Sequence, residues 1–147
     1  RDRICRYRDA LDKAGYDPAT REVGALCMVY TGDSQEQAQE EFAAPVIWYF
    51  RTFGKYVAPK LGQPSIPTYE WYEDIRDLAS VVEWDQLLNH GAVICGKTEM
   101  VTERIAEMGE QIGVDHLLGW TRLGGMPTEL ITGHMQRMRD QVMPAFR

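Results

Sequence analysis

Residues Val23 to Tyr30 form an almost unbroken apolar run. A strand with one wet face alternates apolar and polar residues. A run without alternation predicts a strand buried on both faces, as parallel strands covered by helices are. That segment alone points to an α/β architecture. Gly32-Asp33-Ser34 closes the strand, and Ser34 with Gln37 three residues later forms a capping box that starts a helix. Ala38, Phe42, Val46 and Phe53 continue a helical stripe, with Pro45 expected to kink it.

Other segments follow the same alternation of elements. Ile4, Tyr7, Leu11 and Ala14 recur at helical spacing and Gly15 follows as a C-terminal cap. Ala92 to Cys95 is a short extended piece, and Thr98 is placed to cap a helix. Val101, Ile105, Met108 and Ile112 share one helical face, which Gly113 ends. Val114 to Thr121 reads as a second full strand. Pro127 suits a helix start, and Ile131, Met135, Met138 and Val142 repeat the helical spacing up to Pro144. Between about Ala58 and Gly91 the pattern is irregular, with Pro59, Pro64 and Pro67 beside Tyr69, Trp71 and Tyr72. A short helix around Tyr69 to Val82 and a lid-like insertion are expected there.

Strands separated by helices imply parallel pairing through right-handed crossovers. Two convincing strands cannot close a sheet, whereas a complete (β/α)8 barrel needs about 250 residues. The 147 residues are therefore expected to be one partial domain, residues 1–147: the last two βα units of a TIM-type barrel, incomplete in this chain. Arg1 is not an initiator Met, and the helical pattern is already running by Ile4, so an upstream portion is expected.

Charge and composition narrow the function. A net charge of -6 with scattered Lys and Arg argues against nucleic acid, which needs a basic face. No apolar run is long enough to span a bilayer, and no signal peptide opens the chain. Cys5, Cys27 and Cys95 lack CxxC spacing and read as reduced residues of a cytoplasmic protein. His90, His116 and His134 make no zinc pattern, so no metal is expected. His116 reads as structural and His134 as facing solvent from the last helix.

Gly91 to Thr98 matches the P-loop pattern GxxxxGK[ST]. The positions that would wrap a phosphate are Ala92, Val93, Ile94 and Cys95. Two β-branched residues in succession favour extended backbone over an anion nest. A short strand running into a helix start is the better reading, with a nucleotide-binding protein kept as an alternative. A non-catalytic interaction module is a further one.

The last strand bears most on a site. Side chains alternate, so His116, Leu118, Trp120 and Arg122 share one face, and Leu117, Gly119, Thr121 and Leu123 the other. Barrel enzymes place their sites at the carboxyl ends of the strands. Trp120 and Arg122 are expected to face the interior there, with Leu117 turned toward the helices. Trp120 could pack on a flavin ring and Arg122 face an anionic flavin or substrate, the equal alternative being a barrel-filling tryptophan and a surface arginine. Gly124 and Gly125 would let backbone approach the cofactor.

The closing segment resembles the ending of luciferase-like, flavin-dependent monooxygenases. The residues that carry the likeness are Gly96-Lys-Thr-Glu-Met-Val101, Ile112-Gly-Val-Asp-His-Leu-Leu118, Leu123-Gly-Gly-Met-Pro127 and Val142-Met-Pro-Ala-Phe-Arg147. The strand Val23 to Tyr30, followed by Thr31-Gly-Asp33-Ser34, resembles the preceding βα unit. Lys97-Thr98 departs from the small polar residue and Pro usual in the family. The resemblance implies oxygenation of a small organic substrate by reduced FMN and O2, the FMN supplied by a partner flavin reductase. A deazaflavin (F420)-dependent oxidoreductase of the same superfamily is the near alternative. The implied pocket residues are Trp120, Arg122, Gly124, Gly125 and Tyr30. His90, Tyr69, Trp71 and Tyr72 would supply a lid, while Trp48 and Tyr49 pack against outer helices. No catalytic residue can be carried over, because the family's earlier strands have no counterpart here. The chain by itself is expected to bind FMN weakly and to be inactive, and the full-length protein to be a homo-oligomer.

Overall fold

The computed structural model describes residues 2–56, 67–68 and 81–146. The helices are α1 (Asp2–Lys13), α2 (Gln35–Tyr56), α3 (Trp84–Asn89), α4 (Thr98–Glu107) and α5 (Thr128–Arg137). The strands are β1 (Gly24–Thr31), β2 (Val93–Gly96) and β3 (His116–Trp120). All pair in parallel, in the order β2-β1-β3. Met28 to Thr31 pair with Val93 to Gly96, and Gly24 to Met28 pair with His116 to Trp120.

Burial follows from that order. β1 is central, its first half paired with β3 and its second half with β2, and Cys27 to Thr31, with helices on both faces, are all buried. Met28 and Tyr30 point to the face covered by Ala38, Phe42 and Val46 of α2. Cys27 and Val29 point the other way, toward Val101 of α4 and Val142. The connection from β1 to β2 carries α2, and the one from β2 to β3 steps back across β1 carrying α4. Crossovers of one hand running in opposite directions place their helices on opposite faces. Arg8 ties α1 to this body through the Gly113 carbonyl at 3.3 Å and an ion pair with Asp115 at 3.9 Å.

The expected barrel portion is not what forms. A barrel lays successive strands side by side, whereas here the third strand pairs with the first. The short extended piece read over Ala92 to Cys95 is a fully buried strand, Val93–Gly96, because β1 pairs with it. It occupies one edge of β1, and β3 takes the other. The chain is α/β, and its described residues build an open three-stranded parallel sheet.

Without a barrel there is no interior for Trp120 and Arg122 to face. Trp120 packs on the α2 side, and Leu117 packs on the opposite side beside Ile105, Met108 and Met138. The two do lie on opposite faces, as strand periodicity requires. The strand ends at Trp120, so alternation lapses beyond it, and Leu123 joins the α2-side core.

Local chemistry explains several boundaries. Gly15 and Gly113 end their segments at φ +81°, the left-handed conformation expected of C-terminal caps. The Ser34 hydroxyl accepts from the Gln37 amide at 3.0 Å, while the Gln37 side chain reaches back to the amide of Asp33. Lys97, not Thr98, occupies the N-cap of α4, and Thr98 is its first helical residue. Pro45 lies inside α2. Both α4 and α5 continue into a π-helical turn, Met108–Ile112 and Met138–Val142. Among the described residues no helix is long and apolar enough to cross a membrane.

Candidate functional site

Parallel strands place all their carboxyl ends along one edge, where the outgoing helices begin. In open α/β sheets that edge is where ligands bind. Here it carries a polar cleft beside β1 and β2 and an aromatic corner beside β3.

The cleft encloses about 700 Å³ and is lined by Gly32, Asp33, Lys97, Thr98, Gly133 and Arg137, among others. Gly32 makes its floor possible: a Cβ there would lie 2.9 Å from the Ala38 backbone, so only glycine lets α2 begin this close to β1. Arg137 spans from α5 to β1. Its Nε and Nη2 donate to the Thr31 carbonyl at 3.1 and 2.8 Å, and its Nη1 contacts Asp33 at 3.0 Å. A guanidinium has five N–H donors, so these bonds fix its plane and leave donors beside the cleft.

His134 sits one turn before Arg137 and is fully buried. Its Nδ1 accepts from the Thr31 amide at 2.9 Å, which assigns the ring proton to Nε2. Nε2 has no hydrogen-bond partner among the described residues. The ring stacks on Tyr30 at 5.0 Å. Burial, and then the Arg137 cation, pull the His134 pKa down to about 4. The expectation that His134 faces solvent is therefore corrected. The signal was present: His134 lies three residues after Ile131 and four before Met138, on the apolar stripe of the helix.

Tyr30 and Cys95 near this edge, and Cys27 farther down β1 beside the Gly91 and Ala92 carbonyls, are held neutral. Tyr30 donates to Glu41 at 2.6 Å, and burial, reinforced by the Glu41 carboxylate, raises its pKa far above the ordinary phenol value. Burial pushes the Cys27 thiol up to about 11, and burial with Glu41 pushes Cys95 up to about 12. The two thiols and the Tyr30 phenol therefore lack the ionised form that a nucleophile needs at neutral pH, while the His134 imidazole is neutral with its Nδ1 lone pair occupied by the Thr31 amide. Among the described residues no cluster of His, Cys, Asp or Glu could hold a metal ion.

The aromatic corner gathers the residues read from the sequence. Trp120 meets Tyr49 edge-on, with centroids 4.8 Å apart, and its indole N–H donates to the Arg122 carbonyl at 2.9 Å. Arg122 is exposed. A Cβ on Gly124 would come within 3.2 Å of the Trp48 ring, so this glycine admits the tryptophan of α2. Gly125 has φ +84° with open space where a side chain would be. Trp120, Arg122, Gly124 and Gly125 thus form one neighbourhood. Tyr30 instead lies wholly inside the α2-side core. His90 caps the end of α3 near the amino end of β2, the opposite edge of the sheet. Tyr69, Trp71 and Tyr72, and most of the helix expected around them, lie outside the described residues.

The Gly91 to Thr98 segment does not wrap into an anion nest. Val93 to Gly96 are extended and paired with β1, as the β-branched residues favour.

No protein-family model matches the chain. No curated protein matches it either. Among solved structures it resembles the crystal structure of monooxygenase RslO1 from Streptomyces bottropensis, with a TM-score of 0.64 and 16% sequence identity. The match covers 98% of this chain and 37% of that one, so the chain spans little more than a third of its structural neighbour. At this identity the likeness is one of fold.

Proposed function

We propose that this chain is part of a flavin-dependent monooxygenase of the luciferase-like kind, acting on a small organic substrate. The observation that carries the reading is the fold shared with a monooxygenase along 98% of the chain. The closing sequence pattern, from Gly96 to Arg147, points the same way. The un-ionised state of Tyr30, Cys27 and Cys95 also supports it, because a cofactor would then bring the reactive chemistry.

The aromatic corner suits a flavin. Trp120 offers an apolar surface, and Arg122 offers an exposed cation for an anionic group of the cofactor or substrate. The open space at Gly125 lets backbone approach a planar ring. When bound, reduced flavin would supply the electrons that activate O2. The protein's part is to bind, orient and exclude water. Reduced FMN would come from a separate reductase, and the protein would work as a homo-oligomer in the cytoplasm.

Anaerobic binding separates the alternatives. Protein from the full reading frame is titrated in turn with reduced FMN, reduced F420 and ATP, and retention is measured by ultrafiltration. Saturable retention of reduced FMN is expected. Retention of F420 alone would move the assignment to the deazaflavin oxidoreductases, and retention of ATP alone would overturn it.

A further inference from the structure

A second cavity lies away from the carboxyl edge. It is a groove of about 820 Å³ at the amino end of β3, on the face opposite α2. Its walls include Met108, Leu117, Met138, Val142, Met143 and Phe146. Met143 is 49% and Phe146 47% exposed, so the groove presents apolar side chains to solvent. Its volume falls in the range of about 300–1,000 Å³ usual for small-ligand sites.

Two observations set it apart from a packing gap. Both π-helical turns of the described residues line it: Met108 opens one, and Met138 and Val142 bound the other. Such turns are rare and recur at functional sites, because the extra residue displaces side chains from a regular helical stripe. Three thioethers and a phenyl ring also converge here, polarizable groups that adapt to flat aromatic surfaces.

The rim carries Glu110 and Asp115. His116, also on the rim, contacts Glu22 at 3.0 Å, adding another carboxylate nearby. Arg8, ion-paired with Asp115 at 3.9 Å, offsets one of these three carboxylates and leaves the balance negative. A negative rim repels fatty acids and other anions while leaving uncharged ligands unaffected.

We propose that this groove is a binding site for an uncharged, apolar aromatic small molecule. The site stands apart from the aromatic corner, at the other end of β3, and does not depend on the flavin reading. The probe is N-phenylnaphthylamine, an uncharged dye that brightens in apolar surroundings, with the anionic anilinonaphthalenesulfonate as its counterpart. The neutral dye should bind saturably, one per chain, and about tenfold more tightly than the anionic one. Met143→Glu and Phe146→Glu, at exposed positions near the end of the chain, should each weaken the neutral dye about tenfold. Glu110→Lys should strengthen the anionic dye and leave the neutral one unchanged. With methyl-labelled methionine, the Met108, Met138 and Met143 signals should shift on titration while Met28 and Met126 stay in place. Unsaturable binding, equal affinity for the two dyes, or shifts spread over all methionines would overturn the proposal.

Discussion

Lowering the pH should loosen the protein through His134. The folded state holds this imidazole at a pKa of about 4, against 6.5 when unperturbed. Above the unfolded value both states carry a neutral ring, and the contribution is complete. As pH falls below it, the unfolded chain takes up a proton that the folded chain refuses, so stability declines until the folded pKa is passed. The full loss is about 3 kcal/mol, and between about pH 7 and about pH 5 it amounts to about 2 kcal/mol. The geometry explains the refusal. Protonating Nδ1 would set two donors, the ring N–H and the Thr31 amide, against each other at 2.9 Å. Urea unfolding of the protein and of His134→Gln at both pH values provides the assay. Glutamine carries a carbonyl acceptor but does not titrate, so its stability should change by under about 0.5 kcal/mol over the interval apart from background carboxylates. An equal pH dependence in both proteins, or an imidazole that titrates by NMR near its ordinary value, would refute the reasoning.

Three further outcomes follow from the packing and the cleft. Gly32→Ala should cost about 1–3 kcal/mol in urea unfolding, because its Cβ would meet the Ala38 backbone at 2.9 Å. Arg137→Lys should cost about 1–2 kcal/mol by the same assay, since a lysine cannot reproduce the paired bonds to the Thr31 carbonyl. Lys97→Ala should leave stability and the proposed monooxygenase activity nearly unchanged, because Lys97 is an exposed N-cap that follows an extended strand; loss of an ATP-binding function on this change would contradict that.

The sequence disclosed local features more readily than pairing. The apolar run of Val23 to Tyr30 told correctly of a strand, but only its second half, from Cys27 on, is enclosed on both faces, while Gly24 and Leu26 are exposed. Gly15 and Gly113 were legible because a left-handed cap demands a particular residue. The order β2-β1-β3 was not legible. It depends on contacts between residues about 65 to 92 positions apart, and nothing in a strand's own composition states its neighbour. The β-branched pair Val93 and Ile94 marked a short strand, but four residues were too few to say which strand it pairs with. At the site, Trp120, Arg122, Gly124 and Gly125 were found together because they are neighbours in sequence. His134 and Arg137 were missed because their roles rest on Thr31, about a hundred residues upstream. Tyr30 was placed by sequence at the strand's carboxyl end, but its ring is closed in by Phe42 and His134.

The flavin assignment is tested most directly by how reduced FMN meets oxygen. Stopped-flow mixing of anaerobic protein and reduced FMN with aerated buffer follows the flavin spectrum as it reoxidises. The account predicts that a phase absent from free FMN emerges, that its amplitude saturates with protein, and that Trp120→Ala diminishes it. Reoxidation that matches free reduced FMN at every protein concentration would contradict the assignment.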